Sequence, residues 1–290
     1  MRAGSKLDVE AFLKRWKPSG GSESANFHSF ANDLTDLLGV PRPDPATGDL
    51  KRVSYRFEHP VTFIHTGSKS HGRIDLYRAG HFVMEAKQGS EGAQPDPAQP
   101  ELLPDLPPKV RQGHGVRGTR RWDETMLRAR GQADAYARAV SRDDGWPPFL
   151  LIVDVGHVIV VYADFSGQGQ GYTQFPDGNR YRIRLDDLRE EKVRDRLRSI
   201  WTDPLSLNPA KISAQVTREV ADRLAALGRS FDAQGHTAEA VARFLMRCLF
   251  TMFAEDVELI PNGSFSDLLN KLRGHPQRTA PALKSLWGHR

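Results

Sequence analysis

The chain has 290 residues, 39% of them hydrophobic and 27% charged, the proportions of a globular protein and not of a disordered or fibrous one. At about 150 residues per domain, two domains are expected. Lys and Arg outnumber Asp and Glu by 41 to 36, and the resulting charge of +5 suits an anionic partner without demanding one.

From Met1 to Leu13 charged and apolar residues alternate with no apolar h-region, so a secretion signal is not expected. Between Asn26 and Leu38 the residues Phe27, Phe30, Leu34, Leu37 and Leu38 recur at helical spacing, and Gly39 and Pro41 end the pattern. Arg52–Phe57 and Val61–Ile64 read as short strands. Arg73–Tyr77 and His81–Lys87 read as a hairpin about the Arg78-Ala79-Gly80 turn. Between Gln88 and Thr119 lie six prolines and no apolar period, the mark of an exposed insertion. Its second half carries Lys109, Arg111, Arg117, Arg120 and Arg121, read equally well as a track for phosphates or as a solvated loop. A helix is expected over Trp122–Val140. Strands follow at Phe149–Val153, Val158–Tyr162 and Tyr181–Leu185, then a helix over Asp186–Ile200. The order predicts an α/β (α+β) first domain, residues 1–200, with a mixed sheet flanked by helices.

Residues 201–290 form a second, all-helical domain. Trp201–Asn208 reads as a linker, and Pro209 opens a helix with Ile212, Val216, Val220, Leu224 and Leu227 on one face, closed by Gly228. Thr237 caps a second helix, in which Cys248 sits as a small buried hydrophobe; Leu268, Leu269 and Leu272 suggest a third. Three such helices bury little alone and call for a neighbour to pack against. A lone cysteine permits no internal disulfide or cysteine–zinc cluster and suits a reducing cytoplasm. No run approaches the roughly eighteen apolar residues that span a bilayer, so no membrane partner is expected.

The segment with chemical content runs from Gly72 to Lys87. Along a strand side chains alternate, so Glu85 and Lys87 share one face while Met84 and Ala86 take the other. An antiparallel register that sets Asp75 opposite Glu85 brings two β-carbons to about 5 Å, and it requires a turn of odd length or a bulge. Two carboxylates this close repel, and a divalent cation such as Mg2+ relieves them; Lys87 can then orient water or steady a phosphodiester in hydrolysis. The competing reading is the charged outer face of a hairpin. Glu23, at the start of the first helix, either faces the same cation or meets the helix dipole. Gln132 and Tyr136 lie one helical turn apart, and either face the sheet edge together or belong to an ordinary amphipathic helix.

Taken together, Glu23, Asp75, Glu85-Ala86-Lys87 and Gln132-xxx-Tyr136 resemble the PD-(D/E)xK nucleases. In particular the chain is similar to the amino-terminal part of MmeI-type restriction–modification enzymes, single chains joining an endonuclease to an adenine methyltransferase and a target-recognition domain. Leu150–Asp154 with Val160–Asp164 resembles the strand pair after the nuclease helix, and Arg247–Asp256 resembles the helical spacer. The resemblance implies Asp75, Glu85 and the Ala86 carbonyl as metal ligands, Lys87 as catalytic lysine, and Glu23, Gln132 and Tyr136 as supporting residues. Arg73 and the basic residues Lys109, Arg111, Arg117, Arg120 and Arg121 are the candidate DNA contacts. An Asn-Pro-Pro-Tyr motif and a glycine-rich cofactor loop are absent, so S-adenosylmethionine is expected only in a parent enzyme. The segment Asp164–Gly171 reads as a surface turn because a strand, not a helix, follows it. The expected function is the Mg2+-dependent endonuclease portion of a restriction enzyme acting on double-stranded DNA in the cytoplasm. Its methyltransferase and target-recognition module lies in the parent chain or a separate subunit. The alternative is a non-catalytic DNA-binding or partner-docking fragment of a site-specific adenine methyltransferase. Of the histidines, His59, His65, His71 and His81 fall near the site without zinc-ligand spacing, although His71 can assist phosphate binding, and the five tryptophans suit packing anchors.

Overall fold

Two helices open the chain, α1 (Val9–Trp16) and α2 (Glu23–Leu38), in a computed structural model that describes residues 8–17, 23–45, 54–89, 116–169 and 171–288, leaving aside the side chains of 23–25 and 65. At two turns, α1 is too short to declare a period, yet it buries Phe12, Leu13 and Trp16 and ties itself to α2 through Trp16 Nε1 donating to Asp33 Oδ2 at 2.9 Å.

The two short strands expected before residue 65 are one, β1 (Tyr55–His65), and it pairs along its length with β2 (Ser68–Arg78). Pro60, which falls between those two runs, is tolerated because β1 is the edge of the sheet, where a missing N–H costs no ladder bond on the open side. The register is the same on both sides of Glu58, Phe57↔Leu76 and His59↔Ile74, although Glu58 itself has φ 51°. A three-residue turn, Ala79–His81, with Gly80 at φ 66°, leads to β3 (Phe82–Lys87); its odd length is the one the expected register requires. Helix α3 (Arg120–Ala139) crosses back so that β4 (Phe149–Asp154) lies parallel to β3, from Phe82↔Phe149 to Lys87↔Asp154. Antiparallel β5 (Val158–Ala163) follows, and β6 (Thr173–Gln174) and β7 (Arg182–Arg184) each pair with β5. The result is a seven-stranded mixed sheet in the order β1-β2-β3-β4-β5-β6, with β7 beside β5.

Both faces of the sheet are covered, so β4 and β5 are buried throughout and read as unbroken apolar runs. On one face Val83, Leu150 and Ile152 pack with Trp122, Met126, Ala129 and Ala133 of α3. On the other, Leu76, Met84, Ala86, Leu151 and Val153 pack with α1, α2 and α4 (Glu191–Thr202). The latter helix includes Trp201, which the sequence placed in a linker. The indole is 1% exposed, packs on Phe82 at 4.6 Å between ring centres, and donates from Nε1 to Tyr55 Oη at 2.9 Å. Burial pushes the Tyr55 phenol up to about 12, with the Trp201 hydrogen bond opposing it.

A second compact unit begins at Ile212. Helix α5 (Pro209–Ala233) continues through Gly228, since one helical glycine costs only about 1 kcal/mol and does not end a helix. The Thr237 hydroxyl caps α6 (Ala238–Asp256) as expected, accepting from Ala240 N. Cys248 is only partly buried, not in the core, and that burial raises its thiol pKa. Glu255 caps α7 (Ser266–Leu272), accepting from the N–H groups of Phe265 and Ser266. A fourth helix, α8 (Pro276–Gly288), escaped the sequence reading because Pro276 and Pro281 look like breakers; its Trp287 packs on Phe244 and donates to Thr251 Oγ1 at 2.9 Å. Phe250 and Phe253 of α6 remain 65% and 60% exposed. Among the described residues no helix is long and apolar enough to cross a membrane.

Trp201→Ala is expected to lower unfolding stability by about 3–5 kcal/mol, as for other buried tryptophans. Urea denaturation checks this, and a loss below about 1 kcal/mol would contradict its anchoring role.

Candidate active site at the divergence of β2 and β3

Strands β2 and β3 pair at Arg78↔Phe82, Tyr77↔Val83 and Leu76↔Met84. The same register carried one step further sets Asp75 across from Glu85, as the sequence led us to expect, but paired backbone ends at Leu76↔Met84. In place of a backbone acceptor, Asp75 Oδ2 takes the Ala86 N–H at 2.7 Å. A residue's N–H and C=O point to the same side of a strand, so the Ala86 carbonyl also faces the gap toward β2. Consistent with this alternation, the Lys87 carbonyl faces the other way and accepts from Val155 N at 3.0 Å.

Glu85 and Lys87 follow Val83 on the face covered by α3, while Met84 and Ala86 lie in the opposite core. The Glu85 side chain is 1% exposed and that of Lys87 15%, with Nζ 3.6 Å from Glu85 Oε2. The gap therefore gathers two carboxylate-bearing residues, a backbone carbonyl and an ammonium at the end of β3. The oxygen-only donor set fits a hard divalent cation. Among the described residues no group of three or more His, Cys, Asp or Glu side chains is placed to hold a metal ion, so a cation here would depend on two carboxylates, the carbonyl and solvent.

Gln132 and Tyr136 meet each other, Gln132 Nε2 donating to Tyr136 Oη at 3.0 Å. Their place is over the β1–β2 hairpin. The Tyr136 ring stacks on Phe63 at 5.7 Å and presses on Gly72, where an added Cβ would stand 2.6 Å from Tyr136 Cε1. Glu23 begins α2, but its side chain lies outside the described residues, as do Lys109 and Arg111 altogether. Arg73 is 71% exposed beside Glu58 at 3.6 Å; Arg120 is 94% exposed and pairs with Glu124; Arg121 is also exposed. His71 is exposed and meets Thr62 Oγ1 at 3.2 Å. His59 and His81 are partly buried, and burial lowers both of their pKa values.

Arg117 requires a correction. Its side chain is 8% exposed and grips Asp154 through Nε and Nη2, each at 3.0 Å, while Nη2 also donates to the Val155 carbonyl at 2.9 Å. A guanidinium committed inside the fold in this way does not serve as a DNA contact. Asp154, to which the sequence assigned no role, is fully buried and also accepts from Trp122 Nε1 at 2.8 Å and Gly89 N at 3.0 Å. It pairs in register with Lys87, so the knot holds the backbone that leaves the candidate site. Position 89 must be glycine for this contact: a Cβ there would come 2.7 Å from Asp154 Oδ2. The available signal was an aspartate ending the unbroken apolar run of β4. Further on, Asp164 Oδ1 accepts from Ser166 N and Oγ in a turn that precedes β6, not a helix.

Asp154→Ala should destabilise the protein by about 3–5 kcal/mol, because it strands the Arg117 charge without a partner. Adding Arg117→Met should recover part of the loss in chemical denaturation; a double variant as unstable as the single one would show that the pair is not the cause.

Two family models match the chain: the MmeI N-terminal domain over residues 6–234 and the MmeI helicase spacer domain over residues 239–289. No curated protein and no solved structure matches. The first match takes in the whole mixed sheet and its covering helices, and the second takes in α6, α7 and α8. The chain thus belongs to the MmeI restriction-enzyme family, as its N-terminal domain followed by its helicase spacer domain.

Proposed function

We propose that this chain is the Mg2+-dependent endonuclease portion of a restriction–modification enzyme, hydrolysing phosphodiesters of double-stranded DNA at Asp75, Glu85 and Lys87. The observation that carries the reading is the interrupted β2–β3 ladder, with Asp75 Oδ2 on the Ala86 N–H at 2.7 Å and Lys87 Nζ 3.6 Å from Glu85.

Asp75, Glu85 and the Ala86 carbonyl would hold the cation. When bound, Mg2+ supplies Lewis-acid stabilisation of charge on the phosphodiester and favours ionisation of water. Lys87 is the one donor of the set: its ammonium orients the attacking water or hydrogen-bonds the phosphoryl oxygens as charge grows on them. Its stem is largely enclosed, which limits the positions its Nζ can take and keeps the donor near the reacting phosphate. Glu85, buried beneath α3, places its carboxyl Oε2 3.6 Å from the Lys87 ammonium and so helps to position it. Arg73, Arg120 and Arg121 are exposed and suited to contact the DNA backbone. Gln132 and Tyr136 support the hairpin that carries Asp75. Methyl transfer and target recognition belong to a partner module, in the same parent chain or a separate subunit, and S-adenosylmethionine binds there.

Purified protein is expected to nick or cut duplex DNA when Mg2+ is added and to stop when EDTA removes it. Lys87→Ala should lower the cleavage rate by about 10²-fold or more, the scale for loss of one charge-stabilising donor, while DNA binding persists. Unchanged cleavage by Lys87→Ala would overturn the assignment of the site, and salt-dependent binding without any turnover would favour a DNA-holding role instead.

A further inference from the structure

The β1–β2 ribbon extends beyond what the sheet needs. Its root is fixed: Val61 and Ile74 are buried with α3, and Phe63 stacks on Tyr136, on the face that carries Glu85 and Lys87. Its outer part is exposed, with Thr62, Ile64, Thr66 and Ser68 to His71 all solvent-facing. Ile64, paired with Lys69 near the tip, is 81% exposed, more than any other large apolar side chain among the described residues. From Val61 to Ile74 the sequence has no Asp or Glu, but it has Lys69, Arg73 and two histidines, with Thr62, Thr66, Ser68 and Ser70 between them.

We infer that this ribbon is a DNA-reading arm that enters the major groove beside the scissile phosphate. The inference rests on the nuclease reading above and extends it to the way the duplex is held. A two-stranded ribbon fits a major groove about 12 Å wide and not a minor groove about 6 Å wide. Arg73 at the root is paired with Glu58, while no carboxylate lies within the outer ribbon itself, so that Lys69 near the tip complements a polyanion, and hydroxyl side chains can meet phosphates and base edges alike. Ile64 offers an apolar contact of the kind made to thymine methyl groups. The reach agrees as well. At about 3.3 Å per residue, Lys69 stands roughly 20 Å along β2 from Asp75, a little over half of the 34 Å turn of a duplex. A phosphate in the β2–β3 gap therefore leaves the adjoining groove within range of the tip.

The test compares the full chain with a variant carrying Ile64→Glu and Lys69→Glu. Neither change reaches the core, so the melting temperature should stay the same. Binding to a short fluorescent duplex is measured in the Lys87→Ala background without Mg2+, so hydrolysis plays no part in the readout. The arm variant is expected to bind at least about ten-fold more weakly, with a shallower salt dependence, whereas Lys69→Arg binds like the parent. Duplexes whose pyrimidines carry bulky 5-substituents filling the major groove should lose affinity for the parent chain and not for the arm variant. Binding within two-fold of the parent, or competition only by a minor-groove ligand, would overturn the inference. If Lys87→Ala cuts as well as the unmodified chain, the hydrolytic reading falls while the binding result for the arm still stands.

Discussion

A backbone N–H turned toward a neighbouring strand needs an acceptor, and at Ala86 the neighbour has already left the ladder. Asp75 supplies the acceptor from its side chain. One carboxylate therefore does what the next rung of backbone would have done, and the two strands can separate without leaving a polar group stranded. The end of the pairing also leaves the β2-facing edge of β3 beyond Met84 outside the ladder, next to Glu85 and Lys87. Were the pairing to continue as a regular ladder, the Ala86 carbonyl would be taken up by β2, and the gap facing α3 would close.

Several features brace this divergence. Phe63 of β1 stacks on Tyr136 of α3, and Gly72 lets Tyr136 lie directly on β2. Small residues matter elsewhere in the same layer: Ala129 and Ala133 are fully buried and let α3 sit close to the sheet. On the far side of β3 the parallel pairing with β4 runs without interruption to Lys87↔Asp154. Strand β3 is thus unpaired toward β2 beyond Met84 and paired without interruption toward β4, the arrangement that the proposed site needs if its donors are to hold still.

Asp154 closes the side paired with β4. Buried charge is expensive, and here it is offset by two guanidinium bonds, an indole N–H and a backbone N–H. The bonds draw Gly89, Arg117 and Trp122 to one point, so the chain leaving β3 and the chain entering α3 are anchored together beside Lys87. An arginine that counts as one more basic residue in the sequence is, in space, part of this anchor.

Much of the architecture was legible from patterns of residues. Helical spacing in α2 and α6, the apolar runs of β4 and β5, and the hydroxyl at Thr237 reflect local preferences that hold wherever the segment sits. The register of β2 against β3 was legible too, since the short loop around Gly80 and the alternation of side chains leave few pairings. Less could be read where distant contacts decide the outcome. Pro60 does not break β1 because β1 is an edge, and Trp201 extends α4 because Tyr55 and Phe82 receive it. Short α1 and proline-bearing α8 exist through what they pack against. By itself, then, the sequence determined the principal helices and strands of the sheet, the family resemblance and the candidate residues for phosphodiester chemistry, because these follow from local propensity and side-chain type. Only the tertiary structure decided that the ladder ends at Asp75, that Arg117 is withdrawn from solvent by Asp154, and that the outer β1–β2 ribbon stands exposed, because each depends on which groups meet across the fold.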